Sequence, residues 1–526
     1  MKRYEMIVIG AGPAGLCAAI EAARLGMDVV VFDENARPGG QLFKQIHKFF
    51  GSKEHHAKER GFHIGEDLLA EAREAGVTVF LNATVMGIYD EKEVLVKMDD
   101  SVVHFKADAV IIATGAAENM IPFKGWDKPG VIGAGAAQAL MNLQGVMPGQ
   151  RVLMVGSGNV GLVVSFQLLQ AGCELAAVID AAPRIGGYGV HASKVARTGV
   201  PLLTRHTVVE ALGEDRVEGA VIAEVDDRFQ PIPGTEQTLD VDTICIAVGL
   251  SPMSQLADTA GCDMEFAPRR GGNIPVVDEY GETSIPGIYC AGDVAGIEEA
   301  TSAMILGRIA SIHAAWRAGY LPDAEFETRI AGYHRSIGQL RQGMFAPKNR
   351  GRTDMTETDE GYPLSQSLLK NGYMTEEELK SFPAATAPHK GIHPVIECTQ
   401  NIPCNPCQDA CRFGCISVGT NIVKLPEVEP DAKCTGCGMC VAACSGQAIF
   451  LVNEDFEPGY ASIGLPYEFV PLPEAGQKGT ALDRSGKPVC DAEVVSVKNT
   501  KAMDKTPLLT MKVPVEYASS ARFYRA

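Results

Sequence analysis

The strongest constraint in the sequence is a short apolar strand that runs straight into a glycine turn. Met6-Ile7-Val8-Ile9 is followed by Gly10-Ala11-Gly12-Pro13-Ala14-Gly15 and then by an alanine-rich helical stretch from Leu16 to Leu25. In the order strand, Gly-x-Gly-x-x-Gly, helix, the glycines allow a tight turn and the close approach of a pyrophosphate to the positive end of the helix. A second strand, Asp28 to Phe32, ends in Asp33-Glu34 about 20 residues on, where a carboxylate accepts adenosine ribose hydroxyls. These residues predict a dinucleotide site made from Gly10, Gly12, Pro13, Ala14, Gly15, Asp33 and Glu34.

Further along come Arg37-Pro38-Gly39-Gly40-Gln41, Thr84-Val85, Val110-Ile111-Ile112-Ala113-Thr114-Gly115 and Ile288-Tyr289-Cys290-Ala291-Gly292-Asp293-Val294. In this order the motifs resemble the two-dinucleotide-binding-domain flavoproteins, over roughly residues 1 to 345. The resemblance implies an α/β, Rossmann-like fold and an FAD site that adds Gly40, Gln41, Val85, Ala113, Thr114, Gly115, Gly292, Asp293 and Thr301. Asp293 would bond the ribityl or pyrophosphate region. The helix near Thr301 would aim its positive end at the flavin N1/C2=O edge and stabilise the anionic reduced ring.

A second strand-turn-helix unit starts at Val152-Leu153-Met154-Val155 and continues as Gly156-Ser157-Gly158-Asn159-Val160-Gly161. Its next strand, Leu175 to Ile179, ends in Asp180, and Ile246-Ala247-Val248-Gly249 repeats the Ala-Thr-Gly turn. This predicts an NAD(H) domain inserted in the FAD domain, with Asp180 and Gly249 joining the turn residues. Asp180 favours NAD over NADP because a carboxylate repels the 2'-phosphate. A domain that holds a structural adenine nucleotide, or nothing, is the alternative.

No Cys-x-x-Cys or Cys-x4-Cys pair occurs in the first 345 residues, so the redox disulfide of thioredoxin or lipoamide reductases is absent. Cys17, Cys173, Cys245 and Cys290 read as inert core thiols. The stretch Lys44 to His56, with His47, His55 and His56, reads as a solvated loop over the flavin.

The cysteines cluster later. Cys434-x2-Cys437-x2-Cys440-x3-Cys444 is the spacing of bacterial ferredoxins, with Ser445 in place of the usual proline. Upstream lies a degenerate copy, Cys398-x5-Cys404-x2-Cys407-x3-Cys411. In ferredoxins with two clusters, the fourth cysteine of each half serves the other cluster. That implies one 4Fe-4S cluster on Cys398, Cys404, Cys407 and Cys444, and another on Cys434, Cys437, Cys440 and Cys411. Aligning the halves puts Cys415 opposite Ala448, which leaves it spare. A separate metal site on Cys404, Cys407, Cys411 and Cys415 is the rival assignment.

At 526 residues, several domains are required. The boundaries read are 1–118 and 281–345 for FAD, 119–280 for NAD(H), a connection with one helix at 346–393, a ferredoxin-like α+β domain at 394–455, and a small β unit at 456–526. A net charge of -18 argues against nucleic acid. No apolar run reaches bilayer length, and the first strand begins too early for a signal peptide. The thiol-rich pattern fits a reducing, cytoplasmic compartment.

The whole arrangement is similar to the FAD-containing α subunits of amino-acid dehydrogenase complexes: dye-linked proline dehydrogenase, hydrogen cyanide synthase, and sarcosine or hydroxyproline oxidising types. The resemblance implies an FAD-dependent oxidoreductase subunit, NAD-linked and acting on CH-NH or CH-NH2 donors through a second flavoprotein, with ferredoxin or another carrier as a further partner. No catalytic side chain is evident. Two other readings stay open: a self-sufficient NADH-dependent reductase like the glutamate synthase small subunit, and an electron carrier with a silent NAD domain.

Overall fold

The computed structural model of the chain describes residues 2–386 and 391–526; Met1 and residues 387–390 of the expected connection lie outside them. The all-apolar strand Val29–Phe32 is buried at every position, the mark of a parallel strand covered on both faces. Lys2–Ile9 pairs in parallel with Val29–Phe32 on one side and Ser101–Ile112 on the other. Thr78–Phe80 and Ile288–Cys290 extend the parallel sheet, and Ala83–Tyr89 and Glu93–Met98 add antiparallel strands.

The helices Pro13–Arg24 and Ala300–Arg317 share one apolar core with this sheet. They meet backbone to backbone at Gly307, where an added methyl group would lie 2.1 Å from the Ala14 carbonyl oxygen. Contact this close holds the first turn of Pro13–Arg24 against the middle of Ala300–Arg317.

The chain leaves this unit along Ala116–Glu118 and returns along Leu250–Pro252, which pair antiparallel. Between them a second parallel sheet forms in the order Leu202–Thr204, Glu174–Asp180, Arg151–Val155, Thr243–Ile246, Val131–Gly133. Its helix Asn159–Gln170 takes the place that Pro13–Arg24 holds in the first sheet. The helix expected near Thr375 spans Glu376–Leu379 and opens on a capping box between Thr375 and Glu378.

Beyond residue 390, seven strands form one sheet, in the order His393–Ile396, Ile449–Glu457, Tyr460–Pro466, Leu508–Pro514, Pro488–Lys498, Lys478–Leu482, Phe523–Arg525. Ile449–Glu457 straddles the boundary read at 455–456, and strands on both sides of that boundary are hydrogen-bonded together. The cysteine segment is thus a long excursion between two adjacent strands. Glu397 N–H donates to the Ala448 carbonyl at 2.8 Å, so Cys398 and Cys444 leave the sheet side by side.

The stretch from Lys44 to His56 corrects the expectation of a solvated loop: Lys48, Phe49 and His55 are buried. The cause is long-range. Lys48 Nζ donates to Ala442 O at 2.7 Å, Met503 O at 2.9 Å and Thr506 Oγ1 at 3.0 Å. Ser445 Oγ donates to Phe49 O at 2.6 Å, and Asn405 N–H to Gly51 O at 3.0 Å. Among the described residues, no helix is long and apolar enough to cross a membrane.

Gly307→Val should force the paired helices apart and destabilise the fold by about 1–3 kcal/mol or more, read as a lower midpoint of thermal unfolding. An unchanged midpoint would show that the helices can separate freely.

Candidate cofactor sites

At the first turn, a side chain at Gly10 would lie 2.4 Å from Ala113 O and one at Gly15 1.9 Å from Gly10 O, whereas a side chain at Gly12 would meet nothing within 4 Å. The outer glycines are demanded by the turn, and the middle one faces open space. The helix begins with Gly12 as its cap, Pro13 next, and no side chain capping its free N–H groups. Such an end is an anion site.

Asp33 is buried and holds this turn. Its Oδ2 accepts from Ala11 N–H at 2.6 Å, and its Oδ1 from Asn35 N–H at 2.8 Å and Asn35 Nδ2 at 2.9 Å. Glu34 beside it is exposed, so of the two acids Glu34 is left with a carboxylate facing outward. Gly40 approaches Gly12 so closely that its added carbon would lie 2.9 Å from Gly12 Cα, and Gln41 is exposed. Val85 is half-buried on its strand. Thr114 Oγ1 donates to Met253 O at 2.7 Å and Met253 N–H to Gly115 O at 2.9 Å, so the Ala113–Gly115 turn is tied to the chain returning from the second unit. Gly292 packs on Ala14. Asp293 Oδ1 accepts from Glu298 N–H at 3.1 Å, and burial raises its carboxyl to about 6. Thr301 lies in the first turn of Ala300–Arg317, and its Oγ1 donates to the His55 carbonyl at 3.3 Å.

The second turn repeats the first. Side chains at Gly156 and Gly161 would lie 2.2 Å from Ala247 O and 2.0 Å from Gly156 O, and Gly158 is open. Asp180 Oδ2 accepts from Ser157 N–H at 2.7 Å and Ser157 Oγ at 2.6 Å, and Oδ1 from Ala182 N–H at 2.8 Å. Both acids thus brace the residue between the first two glycines. Asn159 Oδ1 accepts from Tyr188 N–H at 2.8 Å and its Nδ2 donates to Glu299 Oε1 at 3.2 Å. Val160 is exposed, and Gly249 takes positive φ on the returning turn. A further correspondence, missed by the motifs above, is that Asp-x3-Arg-x-Gly-Gly follows both second strands, as Asp33 to Gly40 and Asp180 to Gly187. In each, a glycine N–H closes on the turn, Gly39 to Ala11 O at 2.7 Å and Gly187 to Ser157 O at 2.9 Å.

The cysteines fall into two groups. Cys398, Cys404, Cys407 and Cys444 lie within electrostatic range of one another, and Cys398, Cys404 and Cys444 pack in one cluster with Tyr188, Phe50, Phe345 and Ile402. Cys411, Cys415, Cys434, Cys437 and Cys440 line a single cavity. Among the described residues, no three or more His, Cys, Asp or Glu side chains converge as ligands of one metal ion. The thiols of the second group instead stand around that cavity. Burial pushes the Cys398 thiol up to about 12 and raises Cys404, Cys407, Cys440 and Cys444. A bound metal would hold such thiols as thiolates. Backbone N–H groups face sulfur: Cys415 to Cys411 Sγ at 3.2 Å, Gly436 to Cys434 Sγ at 3.4 Å, and Ala448 to Cys444 Sγ at 3.4 Å. Donors of this kind suit thiolate-held clusters.

Residues the sequence did not single out surround Cys444. Lys48, Lys194 and Arg197 are all buried. Lys194 Nζ lies 4.6 Å from the centre of the Phe166 ring, and Arg197 donates to Gln447 O at 2.9 Å. Desolvation lowers Lys48 and Lys194 to about 8 each, with Glu468 and Cys444 acting in the opposite direction. Nothing in a short stretch such as Ala-Ser-Lys-Val-Ala-Arg marks its cations as buried.

Residues 4–319 match the pyridine nucleotide-disulphide oxidoreductase family. The chain is similar to an opine oxidase subunit of Agrobacterium tumefaciens (34% identical, covering 65% of this chain and 71% of that one). It is also similar to the HcnB subunit of hydrogen cyanide synthase from Pseudomonas aeruginosa (28%, 66% and 78%). Similarity to the alpha subunit of sarcosine oxidase from Corynebacterium sp. is 26%, over 60% of this chain and 33% of that one. In fold, L-proline dehydrogenase from P. horikoshii matches with a TM-score of 0.50 at 23% identity, over 63% of this chain and 59% of that one.

Because both middle glycines are open and take ordinary extended φ of -77° and -68°, valine fits the fold at either. Gly12→Val should give a folded protein that purifies without flavin, while Gly158→Val should keep its flavin and lose nicotinamide-nucleotide binding. Flavin absorbance and calorimetric titration with NADH check both; flavin retained in Gly12→Val would remove the first turn as the flavin site.

Proposed function

The chain belongs to the pyridine nucleotide-disulphide oxidoreductase family, and from that premise we propose that it is the electron-relaying, FAD-dependent subunit of a cytoplasmic amine or amino-acid dehydrogenase complex. In this reading, two 4Fe-4S clusters sit in a ferredoxin-like segment, NAD(H) binds the second turn, and a partner flavoprotein oxidises the substrate. The names of the relatives, each a subunit of an opine oxidase, a hydrogen cyanide synthase or a sarcosine oxidase, support the substrate class. Bound FAD supplies the junction between the two-electron chemistry of a nicotinamide and the one-electron chemistry of a cluster.

A continuous connection carries the reading. Thr301, at the start of the helix aimed at the flavin position, holds the His55 carbonyl. A few residues earlier in the same stretch, Phe50 packs against the buried cluster of Tyr188, Val190, Ile402 and Ala448 on which Cys398, Cys404 and Cys444 also pack, and Gly51 N–H faces Cys404. In this reading the flavin cradle and the first cysteine group share one short segment, in which Gly51 and His55 are buried. Tyr188, Phe345 and Ile402 exclude water there. The open glycine turns would hold the two pyrophosphates, with Asp33 and Asp180 fixing their shape and Glu34 facing the adenosine ribose. Lys48, Lys194 and Arg197 are buried positive charge that an anionic, thiolate-held cluster beside Cys444 would offset.

The silent-domain reading draws on one contact. The Glu299 carboxylate binds Asn159 at the mouth of the second turn, where it would repel a pyrophosphate.

Anaerobic titration with NADH separates the two readings. The relay predicts bleaching of the flavin followed by the paramagnetic signal of reduced clusters. A flavin untouched by NADH leaves the chain as a carrier fed only by its partner.

A further inference from the structure

The two halves of the cysteine segment share a backbone rule, and they differ at one side chain. In the second half, Ala448 N–H donates to Cys444 Sγ at 3.4 Å; in the first, Cys415 N–H donates to Cys411 Sγ at 3.2 Å. Each donor stands four residues after its cysteine and performs the same backbone task. Alanine is sufficient for that task at 448, so the thiol at 415 is surplus to it.

That thiol is nevertheless directed at the cluster position. Cys415 lines the same cavity as Cys411, Cys434, Cys437 and Cys440, and it is buried. Its sulfur interacts electrostatically with those of Cys411 and Cys434. Five thiols thus face a space in which a cubane takes four. Ile416 and Leu451 close the apolar side of the cavity, and Gly414, at positive φ, makes the turn that leads into Cys415.

We propose that Cys415 is a reserve ligand of the cluster in this cavity, able to take the iron held by Cys411. The proposal rests on the iron-sulfur reading given above. The exchange is redox-neutral: the iron–sulfur bond to Cys411 breaks as one to Cys415 forms, and the thiol proton of Cys415 passes to the released Cys411 thiolate. In a variant lacking Cys411, the Cys415 proton leaves to solvent as the thiolate binds. The cluster so protected keeps its place when one ligand is lost to oxidation or mutation.

The test compares four proteins purified anaerobically as the full chain: wild type, Cys411→Ala, Cys437→Ala and Cys411→Ala/Cys415→Ala. Iron and acid-labile sulfide are measured per chain, with paramagnetic resonance of the reduced protein. Cys411→Ala should keep the full iron and sulfide of wild type, with a shifted resonance. Cys437→Ala, which has no reserve thiol beside it, should lose half, as should the double variant. Loss of half the iron in Cys411→Ala would overturn the reserve role, as would retention of all of it in the double variant. Absence of iron and sulfide from the wild type would instead remove the iron-sulfur reading itself.

Discussion

A single buried ammonium joins parts of the chain that lie far apart in sequence. Lys48 donates to two backbone carbonyls and a hydroxyl belonging to residues 442, 503 and 506, and in doing so it pins the stretch after the first glycine turn against the cysteine segment. Burying a charge is expensive unless its donors are satisfied, and this one has an acceptor for each N–H. In this account the flavin cradle and the first cysteine group are neighbours because of that clamp and of the bonds from Ser445 and Asn405 around it.

The two dinucleotide turns are built by one device. An aspartate at the end of the second strand reaches back to the residue between the first two glycines, and an Arg-x-Gly-Gly loop then folds over the turn. This changes what Asp180 does. Its two oxygens are taken by Ser157 and Ala182, so its first duty is to the backbone, and any discrimination between nicotinamide nucleotides acts through a carboxylate already engaged. The same holds for Asp33, with Glu34 left to face outward.

Much of this was legible in the sequence wherever the determinant is local. Glycine positions that the turns demand, such as Gly10 and Gly15, announce themselves because no other residue fits there. The repeat spacing of the cysteines is likewise local, and the pairing of His393–Ile396 with Ile449–Glu457 supplies the physical reason that Cys398 and Cys444, far apart in the chain, come near one another. What could not be read depends on contacts between distant residues. Lys48 and Lys194 look like solvated charges in their own neighbourhoods, and only the approach of residues near 442 to 506 buries them. The sheet that unites 393 to 525 was likewise hidden, since its register links strands across the whole cysteine excursion.

The central claim is that the flavin position and two thiolate-held clusters are brought together by the buried stretch after the first turn. Diffraction at the iron absorption edge from anaerobically grown crystals tests it most directly. The account predicts two separate iron centres, one bounded by Cys398, Cys404, Cys407 and Cys444 against Phe50 and Gly51, the other in the cavity of Cys411, Cys434, Cys437 and Cys440. A single centre, or metal held elsewhere with those thiols unligated, would contradict it.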